Sequence, residues 1–199
     1  HLKKILRYFL QISFIKRKKF VDIIFKLGKE ENHYYDTTML AVQIGDDYVE
    51  LSKNNYSTEL AHVATVLAAK YNEEHGYTLR NARDYVENHI VYDLETEIYQ
   101  TINYKLHLNN FIILIYNIAD KNILHPSFTE LLKDICYDKH TFELSDTNPL
   151  LILSSLIILS RNNKLSFLNT YKFKVFTETL LNVSNEFDLS PEIILHKFI

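Results

Sequence analysis

Nine histidines are scattered through the chain and are the first candidates for metal ligands. His33, His62, His75, His89 and His107 stand far apart, and no His-Glu-x-x-His occurs. The spacing that would put two imidazoles on one helix face is therefore missing. Asp93, Glu95 and Glu97 invite a reading as paired carboxylates. On a helix, residues two apart do not face each other, so they make no acid–base pair. Cys136 is the only cysteine, which excludes a disulfide within the chain and a cysteine-based zinc site. Three glycines supply no Walker or dinucleotide loop, and no Gly-x-Ser-x-Gly is present. The chain is expected to be no enzyme, with no catalytic residue, no metal and no cofactor.

What remains is charge placed at the ends of apolar segments. Leu60 to Glu74 is apolar nearly all round through Ala69, then turns polar at Lys70, Asn72, Glu73 and Glu74. A helix apolar on every side belongs at the centre of a helical domain. Its small alanines let neighbouring helices approach closely. A lysine at such a helix end is ordinarily favoured by the helix dipole. A second charge feature is the basic run Lys16-Arg17-Lys18-Lys19.

The totals fit this picture. A chain of 199 residues holds one large domain or two small ones. Hydrophobic residues make up 47% and charged residues 24%, the balance of a globular protein. Only three prolines accompany the three glycines, which favours an all-α fold over a turn-rich sheet. A net charge of −3 gives no global basic field for nucleic acid. Pro149 to Leu159 is the longest greasy run, about half of the ~20 residues that span a bilayer. With no secretory pattern at the start, the expectation is an intracellular protein, nuclear or cytoplasmic, without a membrane partner.

In chain order, apolar spacing predicts an N-terminal helix over 1–14, then the basic run, then a helix from Phe20 stopped by Gly28. Asp36 is the expected N-cap of a helix running to about Glu50. The central helix follows, closed near Gly76. Helices are predicted over 78–86 and from about Val91 to Tyr104. The pattern restarts at Asn109, with helices over 111–119, 127–136 (Ser127 as cap), 148–160, 171–183 and 191–198. The expected domains are an N-terminal helix over 1–14, a helical repeat over 15–107 and a second repeat over 108–199.

Several ordered motifs carry a family resemblance. Arg17-Lys18-Lys19-Phe20-Val21-Asp22-Ile23, Asp36-Thr37-Thr38-Met39-Leu40-Ala41-Val42 and Asp46-Asp47-Tyr48-Val49 lie at spacings that resemble the cyclin box. Ala68-Ala69-Lys70-Tyr71-Asn72-Glu73-Glu74 is similar to that family's Ala-Ser-Lys-Phe/Tyr-Glu-Glu signature. Asp93-Leu94-Glu95 through Ile102-Asn103-Tyr104-Lys105-Leu106 resembles the stretch that follows. The resemblance covers about 90 residues. It implies a cyclin fold: two five-helix repeats, or tandem cyclin boxes, preceded by an N-terminal helix.

It also implies a function. Cyclins are non-catalytic subunits that bind and activate a cyclin-dependent protein kinase, docking on its mobile helix and activation segment. By the resemblance, Lys70 and Glu95 would anchor the kinase helix. Leu67, Tyr71, Glu73, Tyr99, Tyr104 and Leu106 would line the interface, joined by Ile5 and Tyr8 from the leading helix. Arg17 and Asp46 would form a structural ion pair. The family's substrate-docking patch corresponds to Lys16, Lys19, Phe20 and Ile23. Two lysines there replace apolar residues and an isoleucine replaces the tryptophan, which argues against an Arg-x-Leu substrate and leaves a solvated basic face as the simpler reading, with an acidic partner as the alternative. Asn72 and Asp47 also depart from the family pattern. Competing readings are a cyclin-fold transcription factor similar to transcription factor IIB and a cyclin-like scaffold or decoy that binds without activating. Low basic charge and the absence of a cysteine-rich zinc ribbon weigh against the former.

Overall fold

The largely apolar segment 60–69, in which only His62 and Thr65 are polar, becomes the hub of an all-helical unit. The computed structural model describes residues 2–75, 77–82, 84–118, 126–153 and 155, with side chains described from Phe14 onward except at 79, 88, 118 and 126–128. Among these the elements are α1 (Leu2–Glu30), α2 (Tyr35–Ser52), α3 (Thr58–Asn72), α4 (Leu79–Ala82), α5 (Asn88–Thr101), α6 (Asn110–Ile118), α7 (Pro126–Tyr137) and α8 (Lys139–Thr147). No strand occurs among the described residues. The chain divides into two compact units, His1–Leu108 with Cys136–Asp138, and Asn109–Ile135 with Lys139–Ile199.

In the first unit α3 packs against α1, α2, α4 and α5. Every residue from Leu60 to Ala69 is buried, including His62 and Thr65. Thr65 satisfies its hydroxyl locally by donating to the Ala61 carbonyl at 2.7 Å. Ser57 caps the helix, its Oγ accepting from the Leu60 N–H at 3.1 Å. Phe20, Val21, Ile24, Phe25 and Leu27 of α1 and Met39, Leu40, Val42 and Ile44 of α2 complete the core. Each such side chain contributes about 1.5–3 kcal/mol of burial.

Several boundaries differ from those expected. α1 is one continuous helix from Leu2 to Glu30, without a break at 14–19 and without a stop at Gly28. Lysine and arginine are good helix formers, so a basic run with no Gly or Pro does not end a helix. Gly28 instead serves packing: a Cβ there would lie 2.6 Å from Thr38 Oγ1 of α2. Gly45 does the same on α2, where a Cβ would lie 2.1 Å from the Phe20 ring.

Asp36 is not the N-cap of α2; the cap position is Tyr34, and it makes no side-chain cap bond. Asp36 sits inside the first turn, its carboxylate accepting from the Thr37 N–H at 3.1 Å. The central helix ends at Asn72, so Glu73 and Glu74 lie beyond it. The helix expected over 78–86 shrinks to the single turn of α4, and α7 begins at Pro126, ahead of the Ser127 cap.

Tyr77 links two histidines beside α3. Its backbone N–H donates to His33 Nε2 at 2.9 Å, and its hydroxyl lies 2.6 Å from His62 Nδ1. The His62 ring also stacks on Tyr85, with centroids 4.8 Å apart. The hydrogen bonding therefore joins buried imidazole to the chain just after the central helix.

In the second unit Asn109 starts α6, its side-chain oxygen accepting from the Phe111 N–H at 2.9 Å and its amide donating to Ser145 Oγ at 3.0 Å. Phe111, Ile112, Ile115, Leu132 and Phe142 are buried there. α8 was not expected, because Lys139–Thr147 offers only Phe142 and Leu144 as apolar residues. The helices expected over 171–183 and 191–198, and residues 154 and 156–160 of the one over 148–160, lie outside the described residues.

Candidate partner-binding surface

Lys70 stands in the last turn of α3, where the helix dipole favours a cation. Its Nζ pairs with the Glu95 carboxylate of α5. The lysine side chain is 43% exposed and the glutamate 13%, so the pair lies at the surface with its acid half covered. At such exposure it contributes about 0.2–1 kcal/mol to stability. The Lys70 ammonium has three donors and the Glu95 carboxylate has acceptor sites left over. The two are therefore able to meet backbone groups of another chain while still touching each other.

Tyrosines adjoin this pair along the chain. Tyr71 follows Lys70 and is 54% exposed. Tyr99, one turn beyond Glu95, stacks on Tyr104 with centroids 5.5 Å apart and planes 17° from parallel. Burial raises the pKa of the Tyr99 hydroxyl, and the Glu95 charge adds to this. Tyr104 is 66% exposed and has a left-handed backbone, φ 58°, as does Asn103 at 54°. Left-handed non-glycine residues cost of order 1 kcal/mol each. The Tyr99–Tyr104 stack and the Tyr104 N–H bond to the Tyr99 carbonyl at 3.0 Å hold this turn. Leu106 is half-buried beyond it.

Two residues expected at the interface have other places. Leu67 is fully buried in the hub. Glu73 turns inward, its Oε1 accepting from the Tyr34 N–H at 2.8 Å and from the Thr37 hydroxyl at 2.6 Å. Asn72 donates to the same Thr37 oxygen at 2.8 Å. The exit of α3 thus caps the entry of α2 from a distance of nearly 40 residues. Sequence reasoning missed this network, since no local spacing marks it. The side chains of Ile5 and Tyr8 lie outside those described.

Beneath the surface, Arg17 and Asp46 tie α1 to α2. Arg17 Nε donates to Asp46 Oδ1 at 3.0 Å and Nη2 to Oδ2 at 2.6 Å, both residues being buried. Nη1 donates to the Cys136 carbonyl, and the Tyr56 hydroxyl donates to Asp46 Oδ1 at 2.7 Å. Burial opposes the Arg17 charge, but the Asp46 hydrogen bond and charge outweigh it and raise its pKa. Burial likewise pushes up the Cys136 thiol and the Tyr56 hydroxyl. The thiol is therefore held neutral and unreactive.

Lys16, Lys19, Phe20 and Ile23 do come together. They line one wall of a cavity of about 150 Å³, and Tyr56, Ser57 and Thr58 line the other. The Phe20 ring is wedged between Gly45 and Tyr56, its centroid 5.2 Å from that of Tyr56. Tyr56, Ser57 and Thr58 had not been expected at this patch.

The sequence pattern described as "Cyclin, N-terminal domain" matches residues 7–107, just over half of the chain. The chain belongs to the cyclin family. No curated protein and no solved structure matches it. The cyclin N-terminal domain so defined lies within the first, longer segment of the first compact unit, His1–Leu108. It therefore contains the Lys70–Glu95 pair, the tyrosines, the Arg17–Asp46 pair and the cavity. A single cyclin domain is matched, so the family assignment rests on the first unit. No helix among the described residues is long and apolar enough to cross a membrane, and no group of His, Cys, Asp or Glu among them could hold a metal.

Proposed function

We propose that this cyclin-family chain is a non-catalytic regulatory subunit that binds and activates a cyclin-dependent protein kinase. The observation that carries the reading is the part-exposed Lys70–Glu95 pair, with the exposed Tyr71 next to Lys70 in the chain and the Tyr99–Tyr104 stack starting one turn beyond Glu95. Lys70 would donate to backbone carbonyls at one end of the kinase's mobile helix, and Glu95 would accept from its N–H groups. Tyr71, Tyr99, Tyr104 and Leu106 would supply the apolar contact, aromatic anchors being what interface cores use. Ile5 and Tyr8 would extend it along α1. Leu67 and Glu73 would act from beneath, by holding the α3 exit in place.

Kinase activity needs a Lys–Glu ion pair and a carboxylate–magnesium arrangement in place together. A subunit that binds the active arrangement better shifts the population towards it. The test is co-purification with a cyclin-dependent kinase and stimulation of that kinase. Lys70→Ala with Glu95→Ala should abolish association and leave the helical circular-dichroism signal unchanged. Normal binding by that double variant would remove the site assignment. Binding without stimulation would make the chain a scaffold or decoy.

A further inference from the structure

Charge is not spread evenly along this chain. The first 21 residues hold seven of its 22 lysines and arginines and none of its 25 acids. That stretch carries +7 and the remainder −10, a segregation that the whole-chain charge of −3 hides. The first acid is Asp22, and its carboxylate accepts the Tyr137 hydroxyl at 2.5 Å. Residues 2–21 all lie on α1, a single helix without a break.

From α1 the core takes Arg17, Phe20, Val21, Ile24, Phe25 and Leu27, but it leaves Phe14 51% exposed and Ile15 64%. Two large apolar side chains at adjacent positions thus have no core to serve. Helix register places Lys4, Arg7, Phe14, Ile15 and Lys18 on one stripe of α1. Lys18 is exposed there, its ammonium 4.8 Å from the centroid of the Tyr137 ring. At ~100° per residue, this stripe lies about 140° round the helix from Lys16, Lys19, Phe20 and Ile23, so it is not the wall of the cavity.

Apolar side chains set among cations on the outside of a helix fit a surface that is anionic at its face and apolar beneath. A bilayer with anionic headgroups has that layering. Nucleic acid would use the cations but gives Ile15 nothing to enter. We propose that the outer stripe of α1, centred on Phe14 and Ile15, is a peripheral binding site for anionic membrane. Phe14 and Ile15 enter the headgroup boundary, and Lys4, Arg7 and Lys18 pair with the anionic headgroups beside them. The expectation of no membrane partner rested on the lack of a spanning run, and a helix that lies in the interface plane needs none. The inference stands apart from the kinase reading, because it concerns binding by this chain alone.

The test is co-sedimentation of the full chain, without kinase, with vesicles of equal parts phosphatidylserine and phosphatidylcholine and with vesicles of phosphatidylcholine alone. The chain should pellet with the first, less so as salt rises, and stay in solution with the second. Phe14→Gln with Ile15→Gln should weaken binding by about tenfold or more, since the apolar anchor is lost. Lys4→Gln with Arg7→Gln should weaken it several-fold and reduce its salt dependence. Glutamine is a good helix former and both apolar side chains are exposed, so the fold should survive, which circular dichroism checks. Failure to bind the anionic vesicles would overturn the proposal, as would equal binding to the neutral ones. Unchanged binding by either double variant would also overturn it; in the Phe14 and Ile15 case it would leave a charge-only site of the kind that nucleic acid uses. A dimer in solution that Phe14→Gln with Ile15→Gln dissolves would overturn it in favour of a second copy on the stripe. Lys16 and Lys19 stay intact throughout, so no result reflects the cavity. Since the assay contains no kinase, none bears on the Lys70–Glu95 surface.

Discussion

Glu73 holds the hydroxyl of Thr37 at 2.6 Å, and so the exit of the central helix fixes the entry of α2. The same oxygen takes the Tyr34 N–H at 2.8 Å, a service that no side chain at the cap position of α2 performs. Removing a helix cap costs ~0.5–2 kcal/mol. Glu73→Ala is therefore expected to lower unfolding stability by about 1–2 kcal/mol, read as a lower urea midpoint with an unchanged slope. Glu73→Gln keeps an acceptor and should lose less. Equal stability of Glu73→Ala and the parent would show that the network is not a cap.

Arg17 and Asp46 are expected to respond asymmetrically. Arg17→Met leaves a buried carboxylate facing only the Tyr56 hydroxyl among the acceptors' named donors. Such a loss costs roughly 3–5 kcal/mol. Removing both charges together, Arg17→Met with Asp46→Leu, should recover a large part of that, because no uncompensated charge is left. Chemical denaturation of the two single variants and the double variant measures the coupling. A strictly additive cycle would mean that the pair does not act as a unit.

These two relationships differ in how far the sequence discloses them. Arg17 and Asp46 lie within motifs whose order and spacing resemble a known family, so their partnership was open to inference. The buried helix at 60–69 was visible because its apolar residues run on without a polar face. Glu73 and Thr37 left no such trace, since a hydrogen bond across 36 positions imposes no local pattern. The continuity of α1 was obscured for a different reason. A basic run reads as a boundary by composition, yet Arg17 turns into the core while Lys16, Lys18 and Lys19 remain at the surface. The wall formed by Tyr56, Ser57 and Thr58 depends on how α3 is laid against α1, which tertiary packing alone decides.

The contact between Phe20 and Gly45 leaves no space for a side chain. A Cβ at residue 45 would come within 2.1 Å of Phe20 Cζ and 2.9 Å of its neighbours on the ring. Because the ring is also packed on Tyr56, it cannot simply swing aside. Gly45→Ala is expected to destabilise the unit by about 1–3 kcal/mol, the usual range for overpacking. It should also loosen the cavity wall that Phe20 forms. Combining it with Phe20→Leu should restore part of the stability. Thermal unfolding of the three variants checks this, and a Gly45→Ala variant as stable as the parent would contradict the close approach.

The two histidines on Tyr77 set an acid sensitivity. His33 Nε2 accepts the Tyr77 N–H, which requires the neutral ring with its proton on Nδ1, and that buried Nδ1 has no hydrogen-bond partner. Burial lowers the His33 pKa against the opposing pull of Glu73 and Glu31. Burial lowers that of His62 as well, against Glu59 and with a small contribution from Lys26 in the same direction as burial. The unfolded chain, with histidine near its ordinary value of about 6.5, then binds more protons than the folded one. Stability from these groups is fully present above that value and is lost as pH falls below it. The melting temperature should therefore drop between pH 7.5 and 5.5, a window lying above the ordinary carboxylate range. His33→Gln keeps a side-chain oxygen able to accept the Tyr77 N–H but cannot titrate, so it should flatten that drop. An unchanged pH profile in His33→Gln would assign the acid sensitivity elsewhere, with His62→Gln as the next variant to compare.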